Sequence, residues 1–156
     1  RSAGEMAVQR STIHQLVCPQ GEAPAASSMY DVTAIEAVFA QARERESNLS
    51  LLMLSTADGR AIAEASSLDA DGRRIAAMAN SFLTLGETVS RELKLSEDDY
   101  ATICTRMGNV VLIRIAGARP MTLTAVGRPE LNLAVLLFHA RECAQRLLPL
   151  LDARTA

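Results

Sequence analysis

The chain has 156 residues, 49% of them hydrophobic, and its 16 basic and 18 acidic residues give a formal net charge of -2. This length and apolar content suit one small domain that buries its own core. Because nucleic-acid binders gather a basic patch, the near balance of charge predicts no DNA or RNA partner, and no apolar run reaches the roughly 18 residues that a membrane span needs.

The N-terminal 28 residues differ in composition from the rest of the chain. Residues 20–28 are mostly small and include Gly and Pro, a composition typical of linkers, and the apolar cluster before them is too small for a core. We expect a flexible arm over 1–28, a domain over 29–151 and a short tail over 152–156. Because the chain does not start with a basic-then-apolar leader pattern, it is either cytoplasmic or already trimmed, and we expect it in the cytoplasm.

The predicted elements begin with a helix over 32–46, for which Asp31 is a suitable N-cap. Two apolar runs, 49–54 and 61–65, flank Asp58-Gly59, a pair that favours a hairpin turn. The remaining elements are a helix over 71–93, strands over 100–106, 110–116 and 121–126, and a helix over 130–148. Pro129, just before this last helix, fits a first helical position, and Pro149 closes it off. The order αββαβββα predicts an α/β fold of the α+β kind, with one five-stranded antiparallel sheet and helices on both of its faces.

The strands differ in how their side chains alternate. Residues 49–54 are apolar on both faces, which predicts a central strand in a sheet that is covered on both sides. Residues 61–65 and 100–106 are more polar, as edge strands are. Gly108-Asn109 is predicted to turn the chain into 110–115, a second central strand.

The helix over 71–93 carries two lines of residues at helical spacing. The first line is apolar and is expected to pack on the sheet: Ile75, Met78, Phe82, Leu85, Val89 and Leu93. The second line is mostly small: Ala76, Ala79, Leu83, Gly86 and Ser90. Because small side chains let two helix axes come close, we favour a helix-on-helix contact along this line over simple space filling. A glycine in mid-helix costs roughly 1 kcal/mol relative to alanine, which is easier to understand if Gly86 permits such a contact.

Four stretches, in this element order, carry a resemblance to a known family: residues 51–63, 73–91, 108–113 and 123–126. Over about residues 31–150 the chain resembles the roadblock/dynein light chain family, and within it the bacterial MglB-like regulators of Ras-like GTPases. The resemblance implies a roadblock/profilin-like fold and a homodimer in which the edge strands and the long middle helices of two protomers pair. It also implies recognition of a Ras-like, MglA-like small GTPase through the exposed surface of those helices.

Carried onto this sequence, the resemblance implies two sets of site residues. The GTPase-binding surface comprises Arg73, Arg74, Ala77, Asn80, Ser81, Thr84, Glu87, Thr88 and Arg91. The dimer interface comprises Ala76, Ala79, Leu83, Gly86, Ser90, Ile103 and Thr105.

The sequence predicts no catalytic centre of the chain's own. His14 and His139 have no nucleophile with a helper at a recognisable spacing, and neither a GxxxxGK[ST] loop nor a GxGxxG turn is present. The odd set of Cys18, Cys104 and Cys143 lacks CxxC spacing and favours free thiols in a reducing compartment. We therefore expect a protein that is not an enzyme and holds no cofactor or metal.

Two alternatives to a GTPase regulator stay open. A ligand-sensing module of the PAS type also has a five-stranded antiparallel sheet with flanking helices. Sensor pockets are mostly apolar and aromatic, whereas this chain has no Trp, two Tyr and three Phe. The other alternative is a scaffolding dimer that bridges proteins and has no effect on GTP hydrolysis.

Overall fold

A computed structural model describes residues 29–95 and 100–152 of the chain. The predicted arm over 1–28, with His14 and Cys18, lies outside the described residues, as do residues 153–156. The elements, numbered in chain order, are α1 (Val32–Arg45), β1 (Leu49–Thr56), β2 (Ala61–Ser66), α2 (Gly72–Glu92), β3 (Tyr100–Thr105), β4 (Gly108–Ala116), β5 (Pro120–Gly127) and α3 (Leu133–Asp152). The predicted element order is confirmed.

The five strands form one sheet in the order β2-β1-β5-β4-β3, and every neighbouring pair is antiparallel. β1 is central and almost wholly buried, as its two apolar faces predicted. The edges are β2 and β3, the two strands with the weakest apolar alternation. The α+β fold with one antiparallel sheet is therefore confirmed.

The two faces of the sheet are covered unequally. On one face α1 and α3 pack together over the larger core cluster, to which α1 contributes Ile35 and Phe39 and α3 contributes Leu136 and Leu147. On the other face the described residues supply α2 alone, over two small clusters centred on Met53 and Leu112. None of the described helices is long and apolar enough to cross a membrane.

The prediction for the packing of α2 is correct at Ile75, which packs beside Ala76 against the sheet, and wrong for the rest of the larger apolar line. Ala76, Ala79 and Leu83 are buried against the sheet, whereas Met78 and Phe82 are exposed. The physical reason is that alanine side chains let the helix axis come close to the sheet, so the small line serves this contact within one protomer. The larger apolar residues consequently point away from the core.

The prediction for the bounds of α3 is also corrected. Its N-cap is Asn132, whose Oδ1 accepts from the Val135 N–H at 2.9 Å, so Pro129 lies in the preceding turn. Pro149 lies inside the helix, which runs on to Asp152. Tertiary contacts hold this last turn, because Leu151 is buried and the Asp152 carboxylate accepts from the Ala118 N–H at 3.0 Å.

The turn between β3 and β4 differs from the prediction by two residues. Thr105 pairs with Gly108 and Cys104 with Asn109, so the turn itself is formed by Arg106 and Met107. Gly108 has a φ of 137°, and a Cβ there would lie 2.4 Å from the Gly127 carbonyl oxygen. The glycine is needed for this close approach of β4 to β5 rather than for the turn.

Candidate functional site

The α2 helix presents two different flanks to solvent, one apolar and one polar. Asp71 caps its N-terminus, with Oδ1 accepting from the Arg73 N–H at 3.1 Å. Its buried line fixes one face on the sheet, so the residues on either side of that line form the walls of two surface recesses. These two recesses are the candidate site.

The apolar flank consists of large hydrophobic side chains that are all exposed to solvent. Met78, Phe82, Leu85 and Val89 are 57%, 41%, 63% and 49% exposed. A row of this kind on one helix is rare on a monomer and marks an interaction surface.

An apolar groove of about 330 Å³ lies beside this flank, between α2 and the open part of the sheet. It is lined by Leu51, Leu68, Ala70, Ile75, Met78, Ala79, Phe82, Ile103, Val110, Leu112, Thr124 and Val126. Thr124 is buried, and its Oγ1 is the one buried side-chain polar atom of the described residues without a hydrogen-bond partner. A molecule or side chain that entered the groove would therefore meet mainly apolar walls.

The polar flank of α2 faces the turn between β1 and β2 across a cleft of about 510 Å³, here called the hairpin cleft. It is lined by Ala57, Asp58, Gly59, Ala77, Asn80, Ser81, Thr84, Leu85 and Thr88. Gly59 has a φ of 89°, and a Cβ built on it would lie 3.1 Å from the Ala77 Cα, so the turn packs directly on the helix.

A polar network under α2 fixes the helix on the sheet, and Arg114 of β4 is its centre. The Arg114 guanidinium donates to Glu87 Oε1 at 2.7 and 3.1 Å, to Asn80 Oδ1 at 3.1 Å and to Thr122 Oγ1 at 2.7 Å. Asn80 Nδ2 in turn donates to Ser55 Oγ at 2.9 Å. One network thus joins α2 to β1, β4 and β5.

The predicted GTPase-binding residues divide into three groups. Ala77, Ser81, Thr84 and Thr88 are exposed and line the hairpin cleft. Arg73, Arg74 and Arg91 are exposed on α2 outside the lining of the cleft. Asn80 and Glu87 belong to the Arg114 network, and Asn80 is only 4% exposed, so the expectation that it lies on an exposed surface is wrong.

The predicted dimer-interface residues also fall into groups that differ in burial. Ala76 and Leu83 are fully buried against the protomer's own sheet, whereas Ala79 is 8% exposed and lines the apolar groove. Gly86 and Ser90 are half-buried, and Ile103 and Thr105 are exposed on the edge strand β3. A dimer contact at these last four residues stays a prediction.

Arg114 is the residue that the sequence reasoning missed. It is the one charged residue in the otherwise apolar stretch 110–116, and a charge in a strand covered on both faces needs a partner. Asn80 and Glu87, which lie about two helical turns apart on α2, were the available partners. The isolated charge of Arg114 therefore indicated a polar network, but its partners were not recognised because the wrong face of α2 was expected to lie on the sheet.

The described residues contain no group of three or more His, Cys, Asp or Glu that could hold a metal ion. Burial raises the pKa of Cys143 to about 12; the Arg146 charge opposes this shift and the Glu142 charge adds to it. A thiol with that pKa stays protonated at neutral pH and is a poor nucleophile. Cys104 is free and exposed on β3.

Comparisons with known proteins identify the fold. The sequence matches no protein-family model and no curated protein. Among solved structures, Myxococcus xanthus MglB is 12% identical with a TM-score of 0.70, covering 81% of this chain and 93% of its own. MglB in a tetrameric arrangement is 15% identical with a TM-score of 0.68, covering 79% of this chain and 91% of its own.

A roadblock/LC7 domain from Streptomyces avermitilis is 15% identical with a TM-score of 0.64, and the match covers 72% of this chain and 93% of that domain. The chain therefore has the fold of MglB and of roadblock/LC7 domains, as the resemblance in sequence implied.

Proposed function

We propose that this chain forms a cytoplasmic homodimer that binds a Ras-like small GTPase and modulates its GTP turnover or its localisation. The fold that it shares with MglB supports this class of function. The observation that carries the proposal is the exposure of two chemically different flanks on α2.

The apolar flank is suited to a second copy of the chain. A two-fold interface needs protruding and recessed features in the same patch, and this flank has both, in Phe82 and in the adjacent groove. The exposed edge strand β3 continues the same surface through Ile103. A pairing of both elements would bury on the order of 1,600 Å², which is typical of a specific interface. The occurrence of MglB in a tetrameric arrangement supports self-association as a property of this fold.

The polar flank is then the surface that stays accessible to a GTPase in such a dimer. It combines the hairpin cleft with the exposed Arg73, Arg74 and Arg91 on the same helix. Mixed polar and charged surfaces of this kind suit partners that associate and dissociate.

We expect the dimer to act by selecting a competent conformation of the GTPase switch segments rather than by inserting a catalytic arginine. An arginine finger must reach buried phosphates from a protruding segment and can raise turnover by about 10³ to 10⁵. The arginines of the described residues do not meet that requirement. Three of them, Arg60, Arg106 and Arg119, lie in or beside short hairpin turns, and Arg73, Arg74 and Arg91 lie along a helix.

Single alanine substitutions at these six arginines test the mechanism, with turnover measured at saturating concentrations of each variant. If one substitution abolishes stimulation while binding survives, an arginine finger is at work. Losses that follow weakened binding support conformational selection.

The binding proposal is tested by retention of purified Ras-like GTPases from the source genome on the immobilised protein. We expect one GTPase to be retained in its GTP-loaded form more than in its GDP-loaded form. Retention without any change in GTP hydrolysis would favour the scaffolding dimer, and no retention of any GTPase would contradict the proposal.

The apolar groove supports a second candidate function, that of a ligand-sensing module. Its volume of about 330 Å³ and its mainly apolar lining would accommodate a small apolar molecule. Native mass spectrometry of the freshly purified protein distinguishes the two functions, because a sensor would retain a bound small molecule and a dimer interface would not.

A further inference from the structure

We propose that the polar flank of α2 binds an acidic face of the GTPase, whose carboxylates pair with Arg74 near one end of the helix and with Arg91 near the other. This assignment rests on the proposed function, which makes the polar flank a protein-binding surface. It adds the charge of the partner surface and the two residues that select it.

The arginines of α2 are not used by the fold of the protomer, unlike arginines of the other two helices. On α1, Arg45 pairs with Glu142 at 2.7 Å. On α3, the Arg141 guanidinium lies 5.1 Å from the centre of the Tyr100 ring. Three exposed arginines of α2 form no ion pair with any described residue: Arg73, Arg74 and Arg91. Their guanidinium groups are therefore available to carboxylates of another protein.

The carboxylates beside the polar flank are, by contrast, already engaged. Asp58 Oδ2 lies 3.7 Å from Arg60 Nε, and Asp58 Oδ1 accepts from the Thr56 hydroxyl. Glu87 pairs with Arg114 at 2.7 Å in the network under the helix. Because these charges are balanced within the protomer, they do not cancel the charge of the α2 arginines.

Two further acidic residues lie near the ends of α2. Asp71 is the N-cap, where its carboxylate accepts from the Arg73 N–H and is balanced by the helix dipole. Glu92 is exposed, and at about 100° per residue it lies in line with Leu85, at the border with the apolar flank. The polar flank itself therefore keeps an excess of positive charge.

The part of the flank between Arg74 and Arg91 permits a close approach. It consists of small side chains, and two of its hydroxyl groups already have acceptors in the helix. Ser81 Oγ donates to the Ala77 carbonyl at 3.0 Å, and Thr88 Oγ1 donates to a carbonyl one turn earlier at 2.9 Å. A partner that covers these residues therefore leaves neither hydroxyl hydrogen without an acceptor.

The spacing of the two arginines decides the size of the occupant. At about 1.5 Å per residue, Arg74 and Arg91 lie roughly 26 Å apart along the helix axis. One phosphate or another small anion cannot contact both, whereas a protein surface can.

A second copy of the chain is excluded from this flank by charge. Two helices that pair about a two-fold axis through the middle of the flank are antiparallel, and Arg74 of one copy then meets Arg91 of the other. A parallel pairing places each arginine against itself. Both arrangements juxtapose like charges, so self-association is left to the apolar flank and the polar flank selects a different, acidic protein.

The test is the affinity of the retained GTPase for Arg74→Gln, Arg91→Gln and the double variant, at low and at high salt. Glutamine is a good helix former, so the variants are expected to fold. The matched control is Arg128→Gln, which removes the same charge from an exposed arginine between β5 and α3.

We expect each single variant to bind about threefold more weakly at low salt and the double variant about tenfold, with a smaller loss at high salt. Arg128→Gln should bind like the wild type. A scan of the acidic residues of the GTPase to glutamine should identify one substitution that is not additive with Arg74→Gln and another that is not additive with Arg91→Gln. Wild-type affinity in the double variant, an equal loss in Arg128→Gln, or additivity throughout would overturn the assignment and leave the proposed function standing.

A second measurement does not need the GTPase. A helical peptide with two glutamates at the spacing of Arg74 and Arg91 is titrated into the ¹⁵N-labelled protein, with a glutamine peptide and a single-stranded oligonucleotide for comparison. We expect shifts of the Arg74 and Arg91 Nε–H signals with the glutamate peptide only. Equal shifts with the glutamine peptide, none at these arginines, or tighter binding of the oligonucleotide there would overturn the assignment even if no GTPase is found.

Discussion

At the scale of single residues, Arg114 has the largest predicted effect on stability. The Arg114→Leu substitution leaves Glu87 Oε1 without its donor and removes one of the two donors to Asn80 Oδ1, which keeps Thr122 Oγ1, in a half-buried site where the Arg114 side chain is 17% exposed. An unpaired group of this kind costs about 3 kcal/mol, which corresponds to a fall in the thermal midpoint of roughly 10 °C for a domain of this size. Differential scanning calorimetry measures the fall.

The matched control for this substitution is Arg119→Leu, because Arg119 is an exposed arginine beside a hairpin turn. Its midpoint should stay within about 2 °C of the wild type, since surface substitutions change stability by about 0.5 kcal/mol or less. The double variant Arg114→Leu/Glu87→Leu should recover part of the loss, because it removes the orphaned charge. Equal midpoints for Arg114→Leu and Arg119→Leu would contradict a structural role for the network.

The buried thiol of Cys143 predicts a dependence of stability on alkaline pH. Burial raises the pKa of Cys143 from 9.0 to about 12, so the folded protein keeps this proton in a range where the unfolded chain loses it. The contribution to the free energy of unfolding is therefore complete below pH 9 and is lost as the pH rises toward 12. Urea midpoints should fall more steeply over this range for the wild type than for Cys143→Ala, and parallel curves would contradict the prediction.

At the scale of one element, the exposed flank of α2 predicts how the protein assembles. Phe82→Asp and Leu85→Asp place a charge in the proposed two-fold interface and should convert the dimer to a monomer with unchanged helix content. Sedimentation velocity at micromolar concentration and circular dichroism measure the two properties.

Phe138→Asp is the control for these variants, because Phe138 is an exposed phenylalanine on α3, on the other face of the sheet. It should sediment like the wild type. A wild type that is monomeric at micromolar concentration, or a Phe138→Asp variant that dissociates as readily, would refute the proposed interface.

The same element shows where prediction from sequence succeeded and where it failed. Hydrophobic period located α2 and the five strands, since a period of 3.6 or 2 is a local property of the chain. It did not tell which line of α2 faces the sheet. The period is the same whether the large apolar residues cover the protomer's own sheet or lie on an exposed surface where a second protomer would pack. Met78 and Phe82 therefore looked like core residues, and Ala76 and Ala79 looked like an interface.

The residues of the candidate site were also predictable only in part. Ala77, Ser81, Thr84 and Thr88 were named because the family resemblance implies a binding surface on this helix, and the structure places all four along the hairpin cleft. Asp58 and Gly59 were identified only as a turn, since their approach to α2 depends on how β1 and β2 pack in three dimensions. The helix beyond Pro149 was missed because burial of Leu151 outweighs the one hydrogen bond that proline removes.

At the scale of the whole molecule, the composition of residues 1–28 predicts that the domain is stable without them. Deletion of this segment should leave the thermal midpoint within a few degrees, because a stretch rich in Ala, Ser, Gly and Pro has little apolar surface to bury. Calorimetry of the shortened chain measures the change. A loss of about 10 °C or more, worth about 3 kcal/mol, would show that the segment contributes to the folded domain.

The pairing of β1 with β5 in the middle of the sheet has a consequence for biosynthesis. β1 is apolar on both faces, yet its neighbour β5 follows α2, β3 and β4 in the chain. During translation, β1 and β2 leave the ribosome as a hairpin whose other edge has no strand to pair with until β5 is made. The nascent chain therefore exposes a strand that is almost wholly buried in the folded domain, until β5 has been synthesised and the sheet can be completed.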